Sequence, residues 1–347
     1  MQPKCFLLAE QRRTYQILPS PEPPSSGLTE DDLNGTTNII ENEIGEIQLI
    51  RPIDFTNNFI YLAWSCQRKS FVGMKIFPTK KGMSNVLYLN EKRFLSLKHP
   101  NIIQLFAAVE PKRIDLDSES SVTAGMILME LARCDFSKIL EQTSFSKDEV
   151  LVRTYFHQLV NALEYLHSKG FCHLDLKPSN LLLGEDYNLK LGDFDLSSHQ
   201  NDIVLISKGT ENYRAPELLH QRCKKPMKSD MYSLGIILFS FMTKGRVPCT
   251  EKKDSNGSST MESLLTNPEK YWEFLCSAFK KYNFSNSFKQ LFLSLTQENP
   301  NNRPDFEDVK QSKWFLGPTY SPEELKNIMQ PMISGHSIVK PHNFIQP

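Results

Sequence analysis

The chain has 347 residues, 39% of them hydrophobic, which is enough for one large or two smaller domains with a substantial core. Lys plus Arg is 40 and Asp plus Glu is 40, a balance that argues against a globally basic nucleic-acid binder. The seven cysteines are scattered without a C-x-x-C pair; this excludes a patterned zinc site or disulfide framework and points to reduced thiols inside a cell. At the start of the chain, "CFLLA" is shorter than the ~7–15 residues of a signal-peptide core. Leu18–Asn38 is rich in Pro, Ser, Gly and acid and cannot bury a core. Residues 1–45 are therefore expected to be a disordered or extended segment. Next, "GEIQLI", "NFIYLAW" and "SFVGMKIF" alternate as strands do, and "CQRKS" reads as the turn of a hairpin. A helix capped by Ser84 is expected to run to roughly Leu97, ahead of the stop at Pro100. "IIQLFAAV" and "GMILMEL" then flank a polar loop.

From Asp135 the pattern turns helical. Phe156, Leu159, Val160 and Leu163 recur at i, i+3, i+4 and i+7, and Gly170 suits the position just past a helix end. The apolar helix Met231–Met242 holds the longest apolar run, "LGIILFSFM" (Leu234–Met242), which is far short of the ~20 residues of a membrane span. Helical segments continue to Trp314, and the tail 317–347 is expected to be extended or partly ordered. The fold class is α+β, a small β-rich part before a larger helical part. A soluble, intracellular protein is expected, cytoplasmic with the nucleus left open, with no nucleic-acid partner and no membrane span.

The stretch "GFCHLDLKPSNLLLGEDYNLKLGDFDLSS", Gly170–Ser198, sets Asp175, Lys177, Asn180 and Asp193 on short polar turns between apolar runs. An Asp on a loop can accept a hydroxyl proton. A Lys can neutralise a phosphate as a point charge. Asn and Asp offer hard oxygen ligands of the kind Mg²⁺ takes. Phosphoryl transfer asks for this positioning and charge neutralisation more than for covalent chemistry. "HLDLKPSN" followed by "DFD" resembles the catalytic and metal loops of eukaryotic protein kinases. In order along the chain, "VGMK", "NEKRFLSLKHPNI", "GTENYRAPE", "SDMYSLGIILF" and "NPNNRP" are similar to further motifs of that family.

The resemblance implies a bilobal kinase fold over residues 46–316, and ATP with Mg²⁺ as cofactors. It implies that Asp175 orients and deprotonates the attacking hydroxyl, Lys177 steadies the γ-phosphate, and Asn180 and Asp193 hold Mg²⁺. Lys75 would contact the α- and β-phosphates and pair with Glu91. Met129 resembles the gatekeeper, with Glu130 to Ala132 as the hinge against adenine. Ile60, Gly73 and Leu182 would sandwich the ring, and Asp135 would meet the ribose. Glu217 and Arg303 resemble a buried ion pair, and Asp230 the acid beneath the catalytic loop. Thr210 stands where a hydroxyl would approach Asp175 and Lys177. His173 reads as a packed residue, and Cys134 and Cys172 as inert thiols.

Several letters depart from the family pattern. Counting back from Lys75 puts the three phosphate-loop glycine positions on Ile53, Phe55 and Asn58, and no glycine lies between Gly45 and Gly73. A Cβ at such positions hinders backbone approach to phosphate. Leu174 replaces an Arg that pairs with a phosphorylated activation loop, for which Ser197, Ser198 and Ser207 are candidate acceptors. Asp195 replaces a Gly. Ser179 stands where an acid favours Arg-rich substrates, so no strong Arg preference is expected. "DLKPSN" points to a protein substrate with a Ser or Thr acceptor, and a regulatory protein partner is also expected. "YWEFL" and "KWF" resemble the calcium/calmodulin-dependent group. The alternative reading is a pseudokinase that binds nucleotide or acts as a scaffold.

Overall fold

The computed structural model describes residues 39–42, 45–54, 59–79, 85–115, 121–202, 208–220, 223, 225–248, 267–278, 282 and 284–334. Phe55, Asn58, Ser84 and Ser207 lie outside these. The first lobe is a six-stranded antiparallel sheet of β1 (Ile39–Asn42), β2 (Gly45–Asp54), β3 (Phe59–Ser65), β4 (Ser70–Pro78), β5 (Leu105–Asp115) and β6 (Ser121–Met129). Their order is β1-β2-β3-β4-β6-β5. Period-two alternation decides what each face carries. On β4, Val72, Met74 and Ile76 pack with Ile47, Tyr61, Ala63 and Met126 into one apolar layer. Gly73 and Lys75 alternate with them and line the cleft on the other side.

Helix α1 covers only Val86–Lys92, shorter than the sequence pattern suggests. Asn85 caps it, its side chain accepting from the N–H groups of Leu87 and Tyr88. Beyond Lys92 the bonds tighten to i→i−3, from Arg93 to Asn90 and from Phe94 to Glu91. This turn buries Phe94, which stacks on Phe194 with ring centroids 4.7 Å apart. Packing against the second lobe thus overrides helix continuation.

The second lobe holds β7 (Ala132–Asp135), α2 (Phe136–Gln142), α3 (Glu149–Ser168), β8 (Phe171–Cys172), β9 (Leu181–Gly184), β10 (Leu189–Leu191) and β11 (Ser198–His199). It continues through α4 (Glu217–His220), α5 (Pro226–Met242), α6 (Pro268–Ala278), α7 (Asn286–Leu295), α8 (Phe306–Gln311) and α9 (Pro322–Ser334). Phe156, Leu159, Val160 and Leu163 of α3 are fully buried, as their spacing predicts. Gly170 adopts φ +80 and ends α3, its N–H bonding to the His167 carbonyl. Helix α5 begins at Pro226, ahead of the expected Met231, and almost every position is buried, which makes it the lobe's central helix.

The lobes are joined below the sheet. Ile103 N–H bonds to Leu191 O at 2.9 Å, Leu191 N–H to Asn101 O at 2.8 Å, and the Asn101 side chain to Leu189 O at 3.0 Å. Beyond Gly317, α9 buries Leu325, Met329 and Ile333, spaced i, i+4, i+8. Ser321 and Glu324 cap it reciprocally. Among the described residues no helix is long and apolar enough to cross a membrane.

Candidate active site

The cleft between the lobes is lined by Ile53, Ile60, Gly73, Lys75, Glu91, Met129, Glu130, Ala132, Asp135, Lys177, Asn180, Leu182 and Asp193. Among the described residues, every catalytic and cofactor-binding position read from the sequence lines it except Asp175, which touches Lys177 and Asn180. Ile53 falls at a register shift of β2 between Pro52 and Asp54, opposite Tyr61 and Ile60, and is half open to solvent. Gly73 faces Met129 across β4 and β6. A Cβ there would sit 3.1 Å from Met129 Cγ, so the space a Gly leaves is taken up by the Met129 side chain.

The floor of the cleft is wired through the backbone. Asp230, fully buried on α5, accepts the N–H of His173 and of Leu174, each at 2.8 Å, and contacts His167 Nε2 at 2.8 Å. Leu174 takes φ 65 to present its N–H. Its side chain is buried, with no guanidinium to offer. His173 accepts the Asp175 N–H at Nδ1 and donates from Nε2 to Gly192 O at 2.9 Å. Both ring nitrogens are thereby engaged in holding the loop, which fits the packed role read from the sequence.

Around Asp175 the side chains close on themselves. Thr210 Oγ1 donates to Asp175 Oδ1 at 2.7 Å. Lys177 Nζ reaches Asp175 Oδ2 at 2.8 Å and Thr210 Oγ1 at 3.0 Å. Asn180 Nδ2 donates to Asp175 O at 2.8 Å and Oδ2 at 3.1 Å. Gly209, at φ +91, lets Thr210 come this close: a Cβ on it would lie 2.4 Å from Leu174 O.

The roof is held by charge. Lys75 Nζ lies 2.6 Å from Glu91 Oε2, 2.6 Å from Asp193 Oδ1 and 3.5 Å from Asp195 Oδ2. Burial alone would lower the Lys75 pKa, but Glu91, Asp193 and Asp195 together raise it. Burial pushes the Glu91 carboxyl up to about 7 against the pull of Lys75, and raises Asp195 in the same way. At Asp193 burial acts in the same direction, yet Lys75 wins and holds that carboxyl below its ordinary value. Glu91, Asp193 and Asp195 bring three oxygens within 4.8 Å of one another, but the cation they share is the Lys75 ammonium.

A hard divalent ion suits a different pair. Asn180 commits its amide hydrogens to Asp175, leaving its oxygen as the available ligand, beside the Asp193 carboxylate in the same cleft. The apolar lining of Ile60, Gly73 and Leu182 with the Glu130–Ala132 edge suits a flat base. Asp135 has a second duty: it caps α2, accepting the Lys138 N–H at 3.0 Å.

The Glu217–Arg303 ion pair and the thiols of Cys134, on the cleft lining, and Cys172 match their sequence reading. Arg303 meets Glu217 through both terminal nitrogens at 2.6 and 2.7 Å, and its remaining donors reach the carbonyls of Gln297, Lys228 and Glu298. Burial pushes the Cys134 thiol up to about 12, and that of Cys172 higher, so both stay inert thiols. Ser197 and Ser198, candidate phosphate acceptors by position, are buried at 1% and 4% exposure. Ser197 donates to His173 O, and Ser198 Oγ accepts from Lys208 at 2.6 Å. In this arrangement neither is open to a modifying enzyme. The Asp195–Lys75 contact and helix α9 escaped the sequence reading. Only α9 left a signal, the capping pattern "SPEE" ahead of Leu325 and Met329.

The family model described as "Protein kinase domain" matches residues 57–315. CBL-interacting protein kinase 11 of Oryza sativa subsp. japonica is 32% identical over 270 residues, which is 75% of this chain and 49% of that protein. CBL-interacting serine/threonine-protein kinase 8 of Arabidopsis thaliana is 30% identical over 295 residues, 83% of this chain and 61% of that protein. CBL-interacting serine/threonine-protein kinase 12 of Arabidopsis thaliana is 31% identical over 265 residues, 74% of this chain and 49% of that protein. The chain thus spans about half the length of the curated relatives it matches.

Proposed function

The chain belongs to the protein kinase family, and from that premise we propose that it transfers the γ-phosphoryl group of Mg·ATP to a Ser or Thr hydroxyl of a protein. The observation that carries this reading is the closed set of Asp175, Lys177, Thr210 and Asn180 at the base of the cleft. A carboxylate has about four lone-pair sites. Thr210 occupies one on Oδ1, and Asn180 and Lys177 occupy two on Oδ2. The remaining site, on Oδ1, is where a substrate hydroxyl would donate. Asp175 then orients that hydroxyl and accepts its proton as the oxygen attacks phosphorus. Thr210 and Lys177 keep the carboxylate from turning. Lys177 also places positive charge where the transferred group passes.

Bound Mg·ATP supplies the transferable phosphoryl group and the cation that neutralises its charge. Asn180 and Asp193 would hold that cation, Lys75 the α- and β-phosphates, and Glu130 to Ala132 the adenine edge. Ser179 in place of an acid supports a substrate without a strong Arg requirement. The names of the relatives support a regulatory protein partner, and "YWEFL" and "KWF" support placement near the calcium/calmodulin-dependent group.

The test is Mg·ATP binding and autophosphorylation of the purified chain beside Asp175→Asn. The expected outcome is binding by both proteins and transfer by the native one alone. Binding without transfer in either would favour the nucleotide-binding scaffold. Transfer by Asp175→Asn at the native rate would remove Asp175 from the reaction.

A further inference from the structure

Asp195 occupies the position where the family resemblance calls for glycine, and its carboxylate is aimed at Lys75. An ammonium has three N–H donors, and three carboxylate oxygens meet this one. Glu91 and Asp193 do so at 2.6 Å, the range of charge-assisted hydrogen bonds, while Asp195 stands off at 3.5 Å. The Asp195 contact is thus the weakest of the three. The residue is anchored elsewhere: its backbone carbonyl accepts the side-chain N–H of Asn90 on α1 at 2.9 Å. The carboxylate can therefore turn without loosening the loop, and at 11% exposure it keeps an edge toward solvent.

Resting on the nucleotide reading above, we propose that Asp195 is a placeholder for a phosphate oxygen on Lys75. In the nucleotide-free protein it faces the third donor of the ammonium from 3.5 Å. When triphosphate arrives, Lys75 keeps Glu91, exchanges Asp195 for phosphate and releases Asp193 to the cation. Asp195 is then a positioning residue with a price: its negative charge competes with the phosphates for the same cation. A glycine would keep the backbone tie to Asn90 but not this competition. The rival role, cation ligand, predicts the opposite sign on removal of the charge.

Calorimetry on the native chain, Asp195→Asn and Asp195→Gly, with Mg·ATP, ATP in EDTA and adenosine, separates these. Removing one like charge from the phosphate site is expected to tighten ATP by about tenfold, with or without Mg²⁺, in both variants. Adenosine, which has no phosphate, should bind all three proteins alike. Unchanged ATP affinity, or equal tightening of adenosine, overturns the placeholder. Weaker Mg·ATP binding with metal-free ATP unchanged overturns it in favour of a cation ligand. If no protein binds any of the three ligands, the nucleotide reading fails and the placeholder falls with it. Asp195→Gly carries the test if Asp195→Asn does not fold.

Discussion

Asp230 and Lys75 are both buried charged groups, and each organises one half of the cleft, with different partners. Asp230 grips backbone: the N–H groups of His173 and Leu174 cannot move without moving the chain. Lys75 grips only the side chains of Glu91, Asp193 and Asp195, which have rotamers to spare and compete with one another. The floor is therefore set by the fold, whereas the roof is set by a balance of charge. This explains why Leu174 leaves the floor intact. The contribution of that position to the floor is its amide, which Leu supplies as well as Arg.

Removing Asp230 gives the largest effect expected from this comparison. Asp230→Ala leaves two buried N–H donors without an acceptor, each costing about 1–3 kcal/mol. Urea unfolding should show a loss of about 2–6 kcal/mol, together with loss of phosphoryl transfer. A variant with the native midpoint would mean that the floor does not depend on this carboxylate, and the comparison would fail. Lys75→Met should be milder for the fold and as severe for the reaction. It leaves three carboxylates together, but Glu91, already pushed up to about 7 by burial, takes a proton readily. A stability loss of about 1–3 kcal/mol is expected, and transfer should fall by at least about a hundredfold. If Lys75→Met destabilises more than Asp230→Ala, the roof is the structural half and the contrast is reversed.

The floor was legible in the sequence because its parts are close together there. Asp175, Lys177 and Asn180 lie within six residues, and Asp230 and Thr210 sit in motifs with a fixed place in the order. The roof was half legible. Lys75, Glu91 and Asp193 follow from family order, but the direction of the Asp195 side chain depends on how α1 meets the metal loop, more than a hundred residues apart in sequence. The end of α1 was misread for a related reason. Leu95 and Leu97 continue a helical pattern, yet the pull of Phe94 into the stack with Phe194 ends the regular helix at Lys92. Ile53 was placed in the cleft by counting from Lys75 and lies there, while Phe55 and Asn58 fall outside the described residues. Helix α9 had a capping signal and an i, i+4, i+8 stripe, but both follow Gly317 and Pro318, after which the Pro- and Ser-bearing tail read only as extended or partly ordered.

The smallest effect expected concerns phosphorylation of the segment after the metal loop. A phosphate there stabilises the segment only by finding a guanidinium or ammonium with hydrogen bonds to give. Leu174 offers none. Lys208 is half-buried and already donates to Ser198 Oγ at 2.6 Å and Leu196 O at 3.4 Å. Arg93 faces Asp202 at 3.7 Å, an exposed pair of the kind worth ~0.2–1 kcal/mol. Lys208 and Arg214 tie the segment down without any phosphate, Arg214 through the carbonyls of Lys208 and Gly209. Phosphatase treatment of the purified chain should therefore change its transfer rate by less than about twofold, the equivalent of a weak surface contact. Mass spectrometry before and after treatment checks that phosphate was present and removed. A loss of about tenfold or more would show that a cation reaches the phosphate after all, and that part of the floor is assembled by charge in the way the roof is.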